Sequence, residues 1–339
     1  MRLLEDEPVP DHATFARFRT GRCVQAAEDL FYQYVRLLEL QGEIDHEAVF
    51  IDGTKIESRA GRYTFCYSKT DPDATFMRMK DDHMGNGQLK PGYNVQIAVN
   101  SEYISGIDIF SNRTDYGTLI PFQRYLEKAQ QAKYQKLIAD AGYEKLENYL
   151  FLERNGQISF IKPTNYESKK TKKFKRQIGR IENMRYDAAE DCFFCAQGRK
   201  LVLRRECTQM ESEQPVTTAW YRCENCKGCP QRNACCKAKD TDTPKEVILN
   251  KTFWEKREKS QENISTEQGI YLRICRSIQV EGAFALLKTD FGFRRFLTRG
   301  RANVRTELFF LAMAFNLKKL WMKRENGRLK THLSEIRIA

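Results

Sequence analysis

Apolar residues along this chain recur at two different spacings, and each change of spacing marks a new element. Over 13–40, Phe15, Phe18, Cys23, Ala26, Leu30, Tyr34, Leu37 and Leu38 recur at near-helical intervals. That predicts a helix opening after the cap region Pro10-Asp11-His12. A polar linker over 42–47 leads into Val49-Phe50-Ile51, an apolar run of buried-strand type that ends in Asp52-Gly53. Residues 93–99 and 104–110 alternate about Asn100-Ser101-Glu102, which predicts a hairpin. An amphipathic helix follows over 115–132, then a second buried strand over 137–139 that ends in Asp140-Ala141-Gly142. A helix over 144–155 and a short strand over 158–161, closed by Lys162-Pro163, complete the series. The alternation predicts an α/β fold whose parallel or mixed sheet carries helices on its faces.

The pattern breaks at two places. The loop over 68–92 holds Asp71-Pro72-Asp73, Asp81-Asp82-His83 and Gly85-Asn86-Gly87. The Gly-Asn-Gly reads as a turn, because no strand-turn-helix context makes it a phosphate loop. From residue 164 the composition changes. Lys169, Lys170, Lys172, Lys173, Lys175, Arg176 and Arg180 fall within 168–180 without one acid. Such a run is either a solvated face or a phosphate-contacting segment. Cysteines then crowd together as Cys192-x-x-Cys195, Cys207, Cys223-x-x-Cys226-x-x-Cys229, Cys235 and Cys236, with a hairpin strand expected over 199–205. Pairs at this spacing can bring two thiolates to one Zn²⁺, and the favoured ligand set is Cys195, Cys226, Cys229 and Cys235. Free buried thiols are the other reading. Helical patterning resumes near Phe253 and is strong over 266–290, with Ile270, Ile274, Ile278, Phe284, Ala285 and Leu287 apolar and Glu281 in the middle. Lys288 lies seven residues beyond Glu281 and so shares its face. Arg294, Arg295, Arg299 and Arg301 follow with aromatic residues and no acid, which suits a grip on a nucleic-acid backbone. A closing helix over 305–321 and a loose basic tail end the chain.

Charge narrows the choice of partner. Lys and Arg number 57 against 45 Asp and Glu, a net +12 over 339 residues. That favours a polyanion, nucleic acid before membrane, since the longest apolar run (308–317) is too short to span a bilayer and the first residues lack a signal-peptide core. Eleven bunched cysteines suit a reducing cytoplasm.

Three acids stand out as chemistry. Asp52 and Asp140 are expected at strand ends and Glu281 on a late helix. A carboxylate at a buried strand terminus is costly unless a cation pairs with it, although Asp52-Gly53 taken alone is equally a turn-forming pair. A trio of carboxylates can hold two divalent cations for in-line phosphoryl displacement, and Mg²⁺ prefers such hard oxygen donors. The four histidines, His12, His46, His83 and His332, are scattered and offer no competing arrangement.

These residues, as strings, resemble the bacterial insertion-sequence DDE transposases, in the branch with a cysteine-containing insert. The likeness is carried by Phe50-Ile51-Asp52-Gly53-Thr54-Lys55-Ile56-Glu57, Lys69-Thr70-Asp71-Pro72-Asp73-Ala74 and Lys90-Pro91-Gly92-Tyr93-Asn94-Val95-Gln96. It continues in Ala139-Asp140-Ala141-Gly142-Tyr143, Cys226-Lys227-Gly228-Cys229-Pro230 and Val280-Glu281-Gly282-Ala283-Phe284 with Lys288. The resemblance implies an RNase H-like mixed sheet flanked by helices, with the cysteine-rich insert before the last catalytic helix. It implies Asp52, Asp140 and Glu281 as the Mg²⁺ (or Mn²⁺) ligands. It also implies cleavage at element ends with transfer into target DNA, a homodimer on the terminal inverted repeats, and a bacterial cytoplasmic, nucleoid-associated setting.

In the family a Tyr, an Arg and a Lys flank the Glu. Lys288 matches that Lys, while the Arg would fall at Ser277, with Arg273 and Arg276 nearby. The expected DNA contacts are Lys288, Arg273, Arg276, Arg294, Arg295 and Arg299 with Lys169, Lys170, Lys172 and Lys173. The resulting organisation is a helical remnant of an N-terminal DNA-binding region (1–46) and a first part of the core (47–163). A basic, cysteine-rich insert (164–264), C-terminal core helices (265–325) and a basic tail (326–339) follow. The start resembles the end of the family's DNA-binding domain. The alternative expectation is therefore a shortened remnant that binds DNA and interferes with full-length transposase without transposing.

Overall fold

A computed structural model describes residues 11–60, 70–79, 89–211, 213–236, 238, 240 and 243–332. The Asp81-Asp82-His83 and Gly85-Asn86-Gly87 stretches and the last seven residues lie outside these. The chain forms two compact units, one of 1–143, 152–161 and 266–339, the other of 144–151 and 162–265.

The first unit is built on a mixed sheet. Its strands are β1 (Ala48–Glu57), β2 (Thr75–Arg78), β3 (Leu89–Asn100), β4 (Tyr103–Phe110), β5 (Lys136–Ala139) and β6 (Ile158–Ile161). β1 runs antiparallel to β3 on one side and parallel to β5 on the other, β5 is parallel to β6, and β4 and β2 both pair with β3. Helices α1 (His12–Thr20), α2 (Arg22–Leu40), α3 (Leu119–Gln130) and α4 (Leu146–Arg154) precede the second unit, and α4 crosses the division between the two. Helices α5 (Glu267–Arg276), α6 (Gly282–Thr289) and α7 (Arg301–Glu325) follow it. This mixed sheet with flanking helices is consistent with an RNase H-like fold.

Two sequence expectations are corrected here. Asp52 is not at a strand end, and Asp52-Gly53 is not a hairpin turn. β1 continues through Glu57, because Thr54 and Ile56 keep finding partners across β3, at Val95 and Tyr93. The tail is not loose as far as residue 332. The Lys330 amide donates to Glu43 Oε1 (2.7 Å), Lys323 Nζ donates to the Thr331 carbonyl (2.9 Å), and Ser101 Oγ lies 3.0 Å from His332 Nδ1.

Helix α7 is seated on the sheet by polar side chains as well as by its apolar face. Buried Asn316 brackets Ile104 on β4, accepting from its amide and donating to its carbonyl, both at 2.8 Å. Arg305 Nε donates to Asp108 Oδ1 at 2.9 Å. Burial raises the Asp108 carboxyl above its ordinary range, and the Arg305 charge opposes that rise.

The second unit carries a separate antiparallel sheet in the order β11-β10-β9-β8-β7. These strands are β7 (Arg185–Asp187), β8 (Cys192–Phe194), β9 (Lys200–Glu211), β10 (Gln214–Cys223) and β11 (Glu246–Asn250). Phe193, Leu201, Ala219, Tyr221 and Leu249 form its core, with Trp254 packed against them. Asp191 gathers the Tyr221 and Tyr186 hydroxyls (2.6 and 2.8 Å) and Lys251 Nζ (2.8 Å). The hairpin strand expected over 199–205 is β9, and it is longer than its apolar residues suggested.

Candidate active site

Strand register brings two of the acids together. Ile51 on β1 pairs with Ala139, the last residue of β5, in a parallel ladder, so Asp52 within β1 and Asp140 just past β5 sit one step beyond that pair. Neighbouring strands lie about 4.8 Å apart, and residues in parallel register face the same way. Asp52 is buried at 7% exposure, and its Oδ1 accepts the Gly53 amide at 2.8 Å. Asp140 is half-buried, and its Oδ1 accepts the Gly142 amide at 2.8 Å.

The third acid arrives on a distorted helix. The expected single helix over 266–290 is α5, then a π-turn at Ser277–Glu281, then α6. A π-turn bonds i to i+5 rather than i+4, so it takes up one extra residue per turn. Arg276, five residues before Glu281, therefore stands on Glu281's face. Arg276, Glu281 and Lys288 line one open cleft of about 540 Å³ with Asp52, Asp140, Thr54, Phe284, Ala285, Thr289 and Arg294. The family's spacing put the arginine at Ser277, with Arg273 and Arg276 nearby. Instead Ser277 Oγ donates to Glu281 Oε1 at 2.9 Å, and Arg276 takes the cleft position. Buried Gln279 anchors the far side of the turn by accepting the Glu102 amide at 3.1 Å.

Arg276 Nη1 lies 3.2 Å from Asp52 Oδ2, an ion pair by distance that lacks the alignment of a hydrogen bond. It supplies the counter-charge that a buried carboxylate needs. Beneath the acids is a polar floor that no sequence pattern announced. Asp115 Oδ1 accepts from Asn94 Nδ2 (2.8 Å) and Gln96 Nε2 (2.9 Å), and the Tyr143 hydroxyl donates to Gln96 Oε1. Burial, then the fields of Asp115, Asp52 and Asp140, push the Tyr143 phenol well above its ordinary range, so it stays a donor. The signal for Asp115 was the pair of glycines. A Cβ at Gly53 would meet Gln96 Nε2 at 2.2 Å and Asp115 Oδ1 at 2.7 Å, and one at Gly142 would meet Asp140 Oδ1 at 2.9 Å. Gly53→Ala is therefore expected to cost about 1–3 kcal/mol through overpacking and to lower the melting midpoint. A midpoint equal to wild type in a thermal scan would refute this close fit.

The remaining expected residues divide. Arg295, though partly exposed, is tied to backbone: its Nε and Nη2 donate to the carbonyls of Ser58 (2.9 Å) and Ala60 (2.7 Å). Arg273 is half-buried and does not line the cleft, and Arg299 lines a different hollow. Lys169, Lys170, Lys172 and Lys173 belong to the second unit. There Lys169 reaches Gln261 (3.3 Å), Lys170 reaches Glu167 (3.2 Å), and Lys172 and Lys173 are exposed.

The donor chemistry of the cleft fits a hard divalent cation, since its acids are all carboxylates. Among the described residues, however, no three His, Cys, Asp or Glu side chains are close enough together to hold a metal ion. Asp52, Asp140 and Glu281 share a cleft without being drawn into one ligand set.

The zinc expectation for Cys195, Cys226, Cys229 and Cys235 likewise finds no support among the described residues. Cys195 and Cys226 pack as apolar groups against the core of their unit, where buried Cys223 joins them. Burial, a hydrogen bond with Cys226 and the field of Cys195 push the Cys223 thiol up to about 12.

A mixed sheet of this topology, with two carboxylates on adjacent central strands and a third on a helix laid over them, defines an RNase H-like class of protein with an acid-lined cleft. Residues 194–321 match the family model described as the Transposase DDE domain, a stretch that contains Glu281, Arg276 and Lys288. The match supports a DDE transposase. No curated protein matches the chain.

Proposed function

We propose that this chain is a DNA transposase that cuts DNA at the ends of an insertion element and joins the freed end to target DNA. The observation that carries this reading is the convergence of Asp52, Asp140 and Glu281 on one cleft rimmed by Arg276, Lys288 and Arg294. Holding Mg²⁺ or Mn²⁺ would draw these three carboxylates closer together, and the cation would then supply activation of the attacking oxygen and stabilisation of the leaving one. The protein's own groups do the rest. Lys288 and Arg294 give the scissile phosphate a cationic seat. Arg276 faces Asp52 as a counter-charge within a buried strand. The Asn94–Gln96–Asp115–Tyr143 network packs closely beneath Gly53 and Gly142, the glycines that follow the two acids. A homodimer that brings two element ends together belongs to the same proposal.

The test is an assay of the purified chain with Mg²⁺, a duplex carrying the inverted repeats that flank its gene, and a target plasmid. Nicking at the element end followed by joined product is the expected result. Hydrolysis without joining would make the chain a nuclease on the same fold. Binding without either step would leave a DNA-binding remnant.

A further inference from the structure

A second hollow in the first unit, of about 500 Å³, is lined by Arg17, Arg19, Arg59 and Arg299 with Thr298 and Asn303. The arginines come from three separated stretches, namely helix α1, the residues just past β1 and the loop before α7. The fold alone assembles them. Among the described residues no carboxylate lines the hollow. The nearby acid Glu307, on the first turns of α7, is engaged by the Leu297 amide (2.9 Å), the Thr298 amide (3.1 Å) and the Thr298 hydroxyl (2.7 Å). Four guanidinium groups gathered without an acid repel one another, and a polyanion relieves that repulsion.

The framework is also preset. Arg59 Nη1 donates to the Leu297 carbonyl (2.6 Å), Asn303 Nδ2 donates to the Arg299 carbonyl (3.1 Å), and Arg295 staples the two backbones together. The Nε of half-buried Arg19 has no hydrogen-bond partner among the described residues.

We propose that these arginines form a second phosphate site, for the backbone of a DNA duplex, beyond the end of β1 that points away from the acid cleft's centre. The inference rests on the DNA-acting reading of the cleft and deepens it. Asp52 and Arg59 are seven residues apart on nearly extended chain, roughly 20 Å at strand rise. That is about six base pairs of duplex at ~3.4 Å each. A duplex whose scissile bond lies at the acids thus has a flanking phosphate in reach of the arginines, whose planar forks suit it.

The experiment measures binding of the full chain to a duplex longer than this span across a salt series. Arg17→Ala/Arg19→Ala is compared with Arg17→Lys/Arg19→Lys and wild type. The alanine pair is expected to make the slope of log affinity against log salt shallower by about two, one per lost phosphate contact. The lysine pair is expected to keep most of the slope. An unchanged slope and affinity in the alanine pair, with a salt-dependent wild type, overturns this site alone. A wild-type chain that does not bind DNA overturns the cleft reading with it. Should the alanine pair lose its fold, Arg299→Ala decides the matter, its slope falling by about one if the site exists and staying put if it does not.

Discussion

Asp140→Asn is expected to abolish cation-dependent DNA cleavage while leaving the protein folded, and Glu281→Gln is expected to do the same. Each exchange keeps side-chain shape and removes one anionic oxygen from the group that would hold the cation. Carboxylate-held cations contribute several kcal/mol to phosphoryl transfer, so the rate should fall on the order of a thousandfold at ~1.4 kcal/mol per decade. Asp52→Asn should be as inactive and also less stable, because it strips the charge facing Arg276 on a buried strand. The measurement is nicking of an element-end duplex with Mg²⁺, alongside a thermal scan of each variant. If all three amide variants cut at the wild-type rate, the acids are not the catalytic group, and the proposed chemistry fails with them.

Lys323→Met is expected to have the largest effect on stability. Lys323 on α7 is 1% exposed, and its Nζ lies 2.8 Å from Glu43 Oε2. The same carboxylate accepts the Tyr103 hydroxyl at 2.9 Å and the Lys330 amide at 2.7 Å. Removing one partner of a buried, hydrogen-bonded pair costs about 3–5 kcal/mol, because the other charge is left stranded. In a unit of this size that lowers the melting midpoint by roughly 6–20 °C. The double variant Glu43→Leu/Lys323→Met should recover much of the loss. A single variant that melts with wild type would show that the pair contributes nothing.

The pH dependence follows from the sign of the shift. Burial raises the Glu43 carboxyl, but Lys323, the Lys330 amide and Tyr103 outweigh it, and the net displacement is downward. A depressed folded value means the contribution is fully present above the ordinary carboxylate range and is lost as pH falls through that lowered value. Wild type should therefore lose stability in acid more steeply than the double variant does.

What could be read from the sequence divides along physical lines. Asp52 and Asp140 were legible because each closes an apolar run, and burial makes a carboxylate there conspicuous. Glu281 and Lys288 were legible because seven residues bring two helical side chains onto one face, and no irregularity lies between them. Arg276 was named beside Arg273 as a candidate, but the choice between them and its place opposite Asp52 were not legible, because the π-turn adds a residue to the spacing. Asp115 was hidden as an ordinary helix start, since its role depends on Asn94 and Gln96, partners on another strand. The cysteines stay open: Cys-x-x-Cys spacing is compatible with a metal and with packing alike, and the fold places Cys223 and Cys226 against the core of their unit. The length of β1 was missed because its second half buries polar as well as apolar side chains.

The parallel ladder between β1 and β5 has one more consequence. Slipping it by a single residue would turn Asp52 to the opposite face and at the same stroke expose Phe50's neighbours Val49 and Ile51 to the wrong layer. A misaligned acid is thus inseparable from a ruined interior, so molecules that complete folding have already passed inspection at the place where chemistry is proposed to occur.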